Sequence, residues 1–378
     1  MMSFSYSTQF APESGKRDQM MSIAKGIGIV LMVIGHAGAP KALWNFLYLF
    51  HMPLFFFISG YFFRNSENST ELRQRLKKRF RRLYLPFVSW NLLFLLLHNP
   101  LFRLGFYNEK FGGNSIFTLN QIGANILKIF LKMEGSESIL GATWFLRALL
   151  AAVIIVEVLS FLLKKKEKSE WYLLCVIIVG LIISLTLDSL LNINALRYIT
   201  LFFMSALYFT IGYIFKKHKS YFSLNWVCML LLFIITLTFS IMYDKHLSIT
   251  IISLEKVNPL TILLYLIISI IGILFILSLS KILTNSSVGK IFSYCGERTM
   301  SILLLHLSAF RLVNWLKIEL FGLPKGMIDC FPIISQHNDW FWLAYTIIGI
   351  VIPLIFDLFK NKTKTILSRK NQPPLFFG

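Results

Sequence analysis

Ten stretches of about twenty mostly apolar residues, separated by short polar segments, constrain this chain more than any other feature. In lipid, only a helix or a closed barrel satisfies its own backbone, and runs of this length suit a helix. They cover residues 20–38, 42–63, 83–104, 139–163, 171–188, 198–215, 224–243, 259–283, 299–320 and 339–359. The expected fold is therefore all-α: a polytopic membrane helical bundle of about ten transmembrane helices. It forms one domain over residues 1–370, with a short C-terminal tail at 371–378. Only 15% of the residues are charged, against about 25% in soluble domains.

The net charge of +20 would suit a nucleic-acid binder if the basic residues shared one surface. Instead most fall in alternate short segments: Lys16 and Arg17, then 64–82, 164–168, 216–219, 281–298 and 360–370. The intervening loops hold scattered cations such as Lys41, Arg103 and Lys245. This alternation places both termini in the cytoplasm, as an even helix count requires. The expected partner is a lipid bilayer, and nucleic acid is excluded.

The first run contains Lys25 and His36 and lacks a small-residue cleavage site, so a cleaved signal is not expected. Cys175 and Cys228 fall inside apolar runs, Cys295 at a cytoplasmic helix start, and Cys330 alone outside. No extracytoplasmic disulfide is expected, and no metal-ligand spacing occurs. Residues 118–133 place Leu119, Ile122, Ile126, Ile129 and Met133 at helical spacing, which predicts an amphipathic helix on the outer surface. Residues 324–339 are short and polar and read as a lid over an outer opening.

Ionisable side chains inside apolar runs direct the search for chemistry. Lys25 and His36 are eleven residues apart, about three helical turns plus 20°. They share one face, joined by Ser22 and Asp18. A lysine facing lipid costs roughly 2.5–3.5 kcal/mol, so the stripe should face protein or water. Lys25 then lies in the inner half of the membrane, with His36 about 16 Å farther out. Imidazole is the natural general base at neutral pH, whereas a packed histidine would merely donate to a backbone carbonyl.

The second helix, FHMPLFFFISGYFF from Phe50 to Phe63, adds His51, which reads equally as site or structure. Pro53 frees a carbonyl there, and Ser59 with Gly60 permits close helix approach. The basic run RQRLKKRFRRLYLP puts Arg79 and Arg82 on one face at the cytoplasmic start of the third helix. They suit either lipid headgroups or a specific phosphate. Trp144 fits an aromatic belt or a site, and Arg147 either snorkels outward or lines a cavity. His306, with Arg311 beyond it, reads as a packing or tunnel residue.

Taken in order, these pieces resemble the acyltransferase-3 family of membrane O-acyltransferases, closest to its sugar O-acetyltransferase branch with fucose 4-O-acetylase-like proteins. The matching parts are Lys25 and His36 with their spacing, FHMPLFFFISGYFF, and Arg79 and Arg82 leading to Pro86. WFL at Trp144–Leu146 and the stretch ending at His306 complete the set. The family often has an acid where this chain has Ser22, and Asp18 one turn earlier would substitute.

The resemblance implies a bacterial inner-membrane enzyme that moves an acetyl or other acyl group. The donor would be cytoplasmic acetyl-CoA, a substrate rather than a permanently bound cofactor. The acceptor would be a hydroxyl on a cell-surface or lipid-linked glycan. Arg79 and Arg82 would hold the CoA phosphates, and His36 would act as base or carry a transient acyl group, assisted by Lys25 and Asp18. His51, Ser59, Trp144, Arg147 and His306 would line the tunnel. The rival reading is a secondary transporter or flippase of lipid-linked glycan. It would call for internal symmetry or paired broken helices, which the sequence lacks. A non-catalytic scaffold would leave Lys25 unexplained.

Overall fold

Asp18 starts the first helix by closing it. Its Oδ1 accepts a hydrogen bond from the Met21 N–H at 3.2 Å, capping α1 (Gln19–His36). At the other end Gly38 takes a left-handed conformation (φ +74°), which turns the chain sharply after His36. This architecture comes from a computed structural model that describes residues 18–191, 193–243, 245–255 and 257–370. Side chains are described through residue 360, apart from that of residue 194. Lys16, Arg17 and the 371–378 tail lie outside the described residues.

All regular elements among the described residues are helical. Among the described residues, nine helical segments are long and apolar enough to cross a membrane. The seventh expected span, 224–243, is the helix Trp226–Met242, whose 17 residues fall just short of the same measure.

The second expected span is broken in two: α2 (Lys41–Tyr48) and α3 (His51–Tyr61) meet at Leu49 and Phe50. The break relocates Pro53. It stands in the first turn of α3, where its missing N–H would have had no intrahelical partner.

The third span begins well before residue 83. Helix α4 (Ser69–Arg103) runs 35 residues, so the basic segment is a helical extension of a membrane helix rather than a loop. Asn68 caps it by accepting from the Glu71 N–H at 2.9 Å, and Glu71 pairs with Arg75 one turn on. At about 1.5 Å per residue the helix exceeds 50 Å, far more than the roughly 30 Å of hydrocarbon it must cross. Pro86 sits in its interior and leaves the Arg82 carbonyl without its usual donor.

After the short α5 (Glu109–Gly112), α6 (Leu119–Lys132) is the amphipathic helix expected over 118–133. Thr118 and Gln121 form a reciprocal capping box. Ile122, Ile126 and Ile129 face the protein, while Leu119, Leu127 and Leu131 are exposed and Lys128 and Lys132 lie beside them. An apolar outward face beside a cationic one suits a helix lying in an interface.

The remaining helices are α7 (Trp144–Leu163), α8 (Ser169–Leu191), α9 (Asn194–Lys217), α10 (Trp226–Met242) and α11 (Ile249–Leu254). They are followed by α12 (Pro259–Ile282), α13 (Ser287–Glu297), α14 (Thr299–Phe321) and α15 (Phe341–Lys370). Helix α1 is central, with α2, α3, α12, α13, α14 and α15 around it. Helices α8 and α15 lie at the perimeter, with most of their apolar side chains exposed.

Two crossings depend on glycine. A Cβ on Gly26 would run into the Phe292 carbonyl, and one on Gly296 into the Ser22 carbonyl, so α1 and α13 touch backbone to backbone. Gly60 and Gly212 do the same for α3 and α9, against the carbonyls of Phe209 and Phe57.

The 324–339 segment is stitched down. Asp329 is fully buried, pairs with Arg311 at 2.7 Å, and accepts from the Asn108 N–H and the Asn114 amide. Farther along, the buried Lys317 donates to the Ile334 carbonyl at 2.8 Å. Asn338 donates to the Gly38 carbonyl at 2.9 Å, tying the segment to the end of α1. All four cysteines are free.

The Gly60 crossing makes a sharp prediction. Gly60→Ala should destabilise the fold by about 1–3 kcal/mol through overpacking. Gly123→Ala, where nothing lies within 4 Å, should be neutral or slightly stabilising. Unfolding midpoints in detergent test this, and equal shifts for the two variants would refute the close-crossing account.

Candidate active site

Three cavities lie end to end along one face of α1. The first is an open vestibule of about 740 Å³ at the end of the molecule that carries the basic segments. Lys25, Arg82 and Arg298 line it, opposed by Asp18, Glu297 and Asp357. The second is a neck of about 180 Å³, walled mostly by apolar side chains including Ile29, Phe55 and Phe145, with Lys25 at one end and Ser59 in its wall. The third is a chamber of about 220 Å³ holding His36, His51, Tyr48, Trp144, Ser248 and Thr250. Lys25 belongs to both vestibule and neck. Met32, Met52 and Leu303 belong to both neck and chamber and form the partition between them. Two of those three are methionines, side chains that re-pack readily.

Helical periodicity explains this alignment. Lys25, Ile29, Met32 and His36 recur at spacings of four, three and four residues, so each turn of α1 presents one side chain to the row of cavities. Lys25 Nζ lies 5.8 Å from the centre of the Phe62 ring, at the boundary of the first two cavities.

Asp18 sits at the vestibule mouth and is heavily engaged. Besides its cap, its Oδ2 accepts from the Tyr61 hydroxyl at 2.6 Å and lies 3.6 Å from Lys219 Nζ. Eighteen residues of rise, about 27 Å, separate it from His36. Asp18 therefore anchors the start of α1 to α3 and the segment after α9, remote from any chemistry at His36.

The chamber gathers imidazoles. His51 is buried and its Nδ1 lies 2.9 Å from the Leu47 carbonyl. His306 is fully buried, with Nδ1 at 3.0 and 3.1 Å from the Ile302 and Leu303 carbonyls. A carbonyl can only accept, so both rings carry their proton on Nδ1 and present Nε2 as an acceptor. His36 is half-buried at the end of α1, its ring centre 5.4 Å from that of His306.

The other expected residues divide. Arg82 lines the vestibule, while Arg79, one turn earlier, lies within electrostatic reach of the buried Glu157 on α7. Ser59 is in the neck wall and donates to the Phe55 carbonyl at 2.8 Å. Trp144 lines the chamber. Arg147 does not line these three cavities. Its guanidinium lies 4.3 Å over the Tyr198 ring on α9 and reaches toward the Lys132 carbonyl, away from the three cavities.

Several residues at the site carry no sequence signal of their own. Trp44 and Tyr48 on α2 pack on His246, Trp44 stacked at 3.5 Å and 19°, Tyr48 edge-on at 4.7 Å. His246, Ser248 and Thr250 come from the connection between α10 and α12, where no hydrophobic period exists to align them. Arg298, stacked 3.6 Å over Tyr294 and paired with Asp357 at 3.3 Å, lies in a segment read only for its charge.

Burial lowers the pKa of His246 from 6.5 to about 4. Its folded-state value is thus below its unfolded one, so between those values the unfolded chain binds more protons and stability falls as pH drops from 6.5 towards 4. His246→Phe keeps a ring beside Trp44 without the titration. Its unfolding midpoint should fall less than that of the wild type between pH 7.5 and 4.5, and equal falls would show that His246 does not titrate this way.

The comparisons with known proteins agree with the geometry. The sequence matches the family described as "Acyltransferase domain" (Acyl_transf_3) over residues 21–358. The chain is also 27% identical over 158 residues to "Nodulation protein NolL" of Mesorhizobium japonicum. That similarity covers 39% of this chain and 37% of the relative. No solved structure matches the chain. With its family match running from α1 into α15, the chain belongs to the acyltransferase-3 family, and its long apolar helices are those of a multi-pass membrane protein.

Proposed function

We propose that this protein is an O-acetyltransferase of a bacterial inner membrane, moving an acetyl group from cytoplasmic acetyl-CoA to a hydroxyl of an extracytoplasmic or lipid-linked glycan. The observation that carries the proposal is the row of three cavities beside α1, with Lys25 near one end and His36 at the other. The basic extension of α4 and the other basic segments support a cytoplasmic vestibule, by the excess of Lys and Arg expected on that side.

The donor enters there. The phosphates of CoA meet the guanidinium of Arg82, with Arg79 one turn along α4 and Arg298 across the vestibule. The pantetheine arm extends past Lys25 into the apolar neck. The thioester passes between Met32, Met52 and Leu303 into the chamber. The acceptor sugar enters from the outer side, against Trp144 and Tyr48, within hydrogen-bonding range of the Ser248 and Thr250 hydroxyls.

His36 is assigned as the base because it ends the Lys25 stripe of α1 and lines the chamber at the far end of the row of cavities. One ring nitrogen of His36 takes the proton of the acceptor hydroxyl as its oxygen attacks the thioester carbonyl. The new C–O bond forms, the C–S bond breaks, and the imidazolium returns its proton to the departing thiolate. Donor and acceptor approach from opposite ends and never exchange places, so direct transfer suffices without an acyl-histidine. Lys25, about 16 Å from His36, acts on the CoA arm rather than at the reacting carbon.

Membranes containing the protein, supplied with labelled acetyl-CoA, should accumulate base-labile O-acetyl groups on glycan, and His36→Ala should reduce this at least about 100-fold. Equal labelling by both forms removes His36 from the mechanism, and lost glycan export with intact acetylation would identify a transporter. Replacing Arg79 and Arg82 together by Ala should raise the apparent KM for acetyl-CoA about tenfold or more, at roughly 1.4 kcal/mol per factor of ten. An unchanged KM would assign the pair to headgroup contact.

A further inference from the structure

We infer that His306 is the positioning residue for His36: its Nε2 accepts the N–H of the His36 ring and so leaves the opposite nitrogen of His36 bare towards the acceptor hydroxyl. The inference rests on the reading of His36 as the base and adds a second histidine to the site.

Three observations carry it. The His306 tautomer is fixed by its own helix, because Nδ1 lies within hydrogen-bond range of two carbonyls, those of Ile302 and Leu303. Its proton is therefore on Nδ1, and Nε2 has only a lone pair. That Nε2 is buried without a hydrogen-bond partner among the described residues, a state that ordinarily costs about 1–3 kcal/mol for a polar group. Orphaned polar atoms of this kind call for a reason.

The ring beside it is His36, at 5.4 Å between centres and 37° between planes. Two imidazoles sharing an N–H···N bond have centres about 5.2 Å apart, from roughly 2.9 Å between nitrogens and about 1.15 Å from each nitrogen to its ring centre. The two rings do not share a hydrogen bond in this structure, but their centres are within about 0.2 Å of that spacing, so a small turn of His36 would close it, and such contacts commonly tighten once substrate is bound.

The arrangement also answers a chemical need. A neutral imidazole has one N–H and one lone pair, and only the lone pair can take a proton. A half-buried His36 with no directing partner would populate both tautomers, one of which points an N–H at the acceptor hydroxyl and is inert. An acceptor on the buried side selects the active form and steadies the imidazolium once the proton is taken. The His51 ring packs edge-on against Tyr48, with centres 4.7 Å apart.

Three substitutions separate this role from packing. His306→Leu fills the space without an acceptor. His306→Asn retains a donor for the Ile302 carbonyl but has nothing at the Nε2 position. His306→Gln reaches that position with its amide oxygen.

For purified protein in nanodiscs, Leu and Asn should each lower kcat by about 100-fold, the scale of general-base catalysis. KM for acetyl-CoA should stay within about twofold, and Gln should recover most of kcat. In protein labelled with 15N-histidine, the His36 ring, identified by its loss in His36→Gln, should give a single neutral tautomer in the wild type and a mixture in His306→Leu.

Full kcat in His306→Leu while His36→Ala is inactive would overturn the pairing and leave the base intact. An active His36→Ala would overturn the base itself. A Gln variant no better than Leu, with an unchanged His36 tautomer in both, would reduce His306 to packing.

Discussion

A lysine in the middle of a lipid-embedded helix has to be kept from lipid, and most of this structure follows from how Lys25 is accommodated. Its stripe on α1 cannot face hydrocarbon, so α1 is placed at the centre and ringed by six other helices. The stripe faces the vestibule, neck and chamber. The opposite side of α1 is closed by backbone contact at Gly26 and Gly296. The same helix is tight against α13 and open towards α3 and α14, and that asymmetry creates the path.

The two ends of the path are built by different means. At the basic end the vestibule mixes Lys25, Arg82 and Arg298 with three carboxylates, and several of these charges are paired with one another. A polyanionic substrate would exchange partners there rather than fill a uniformly positive bowl. At the far end the chamber is small and lined by aromatic and hydroxyl side chains, and the 324–339 segment, tied to the end of α1 by Asn338, is pinned through Asp329, Asn314 and Lys317.

Much of this was legible in the sequence, because one physical signal governs it. Apolar length gives the spans, and the eleven-residue step from Lys25 to His36 gives the stripe. Local capping residues at Thr118 and Gln121 give α6. The departures are equally physical. Propensity and a cap at Asn68 carry α4 through a basic run that looks like a loop when judged by hydropathy. A break at Leu49 and Phe50 is invisible to a pattern that is apolar on both sides of it. Arg147 had two outlets at one helical position, and only the placement of Tyr198 decides between them. The contributions of Trp44, His246, Ser248 and Thr250 depend on tertiary proximity across separate elements, which no local period encodes.

The central claim is a passage along α1 that water reaches from both sides, up to the partition of Met32, Met52 and Leu303. Single cysteines at Lys25 and at His36, in a chain whose four native cysteines are replaced by serine or alanine, report on it through a charged, membrane-impermeant thiol reagent. The account predicts that the Lys25 position reacts only with reagent on the side of the basic segments and the His36 position only from the opposite side. A cysteine at Ile23, on the packed face of α1, should react from neither. Failure of both stripe positions to react, with the protein folded, would contradict the passage and the chemistry assigned to it.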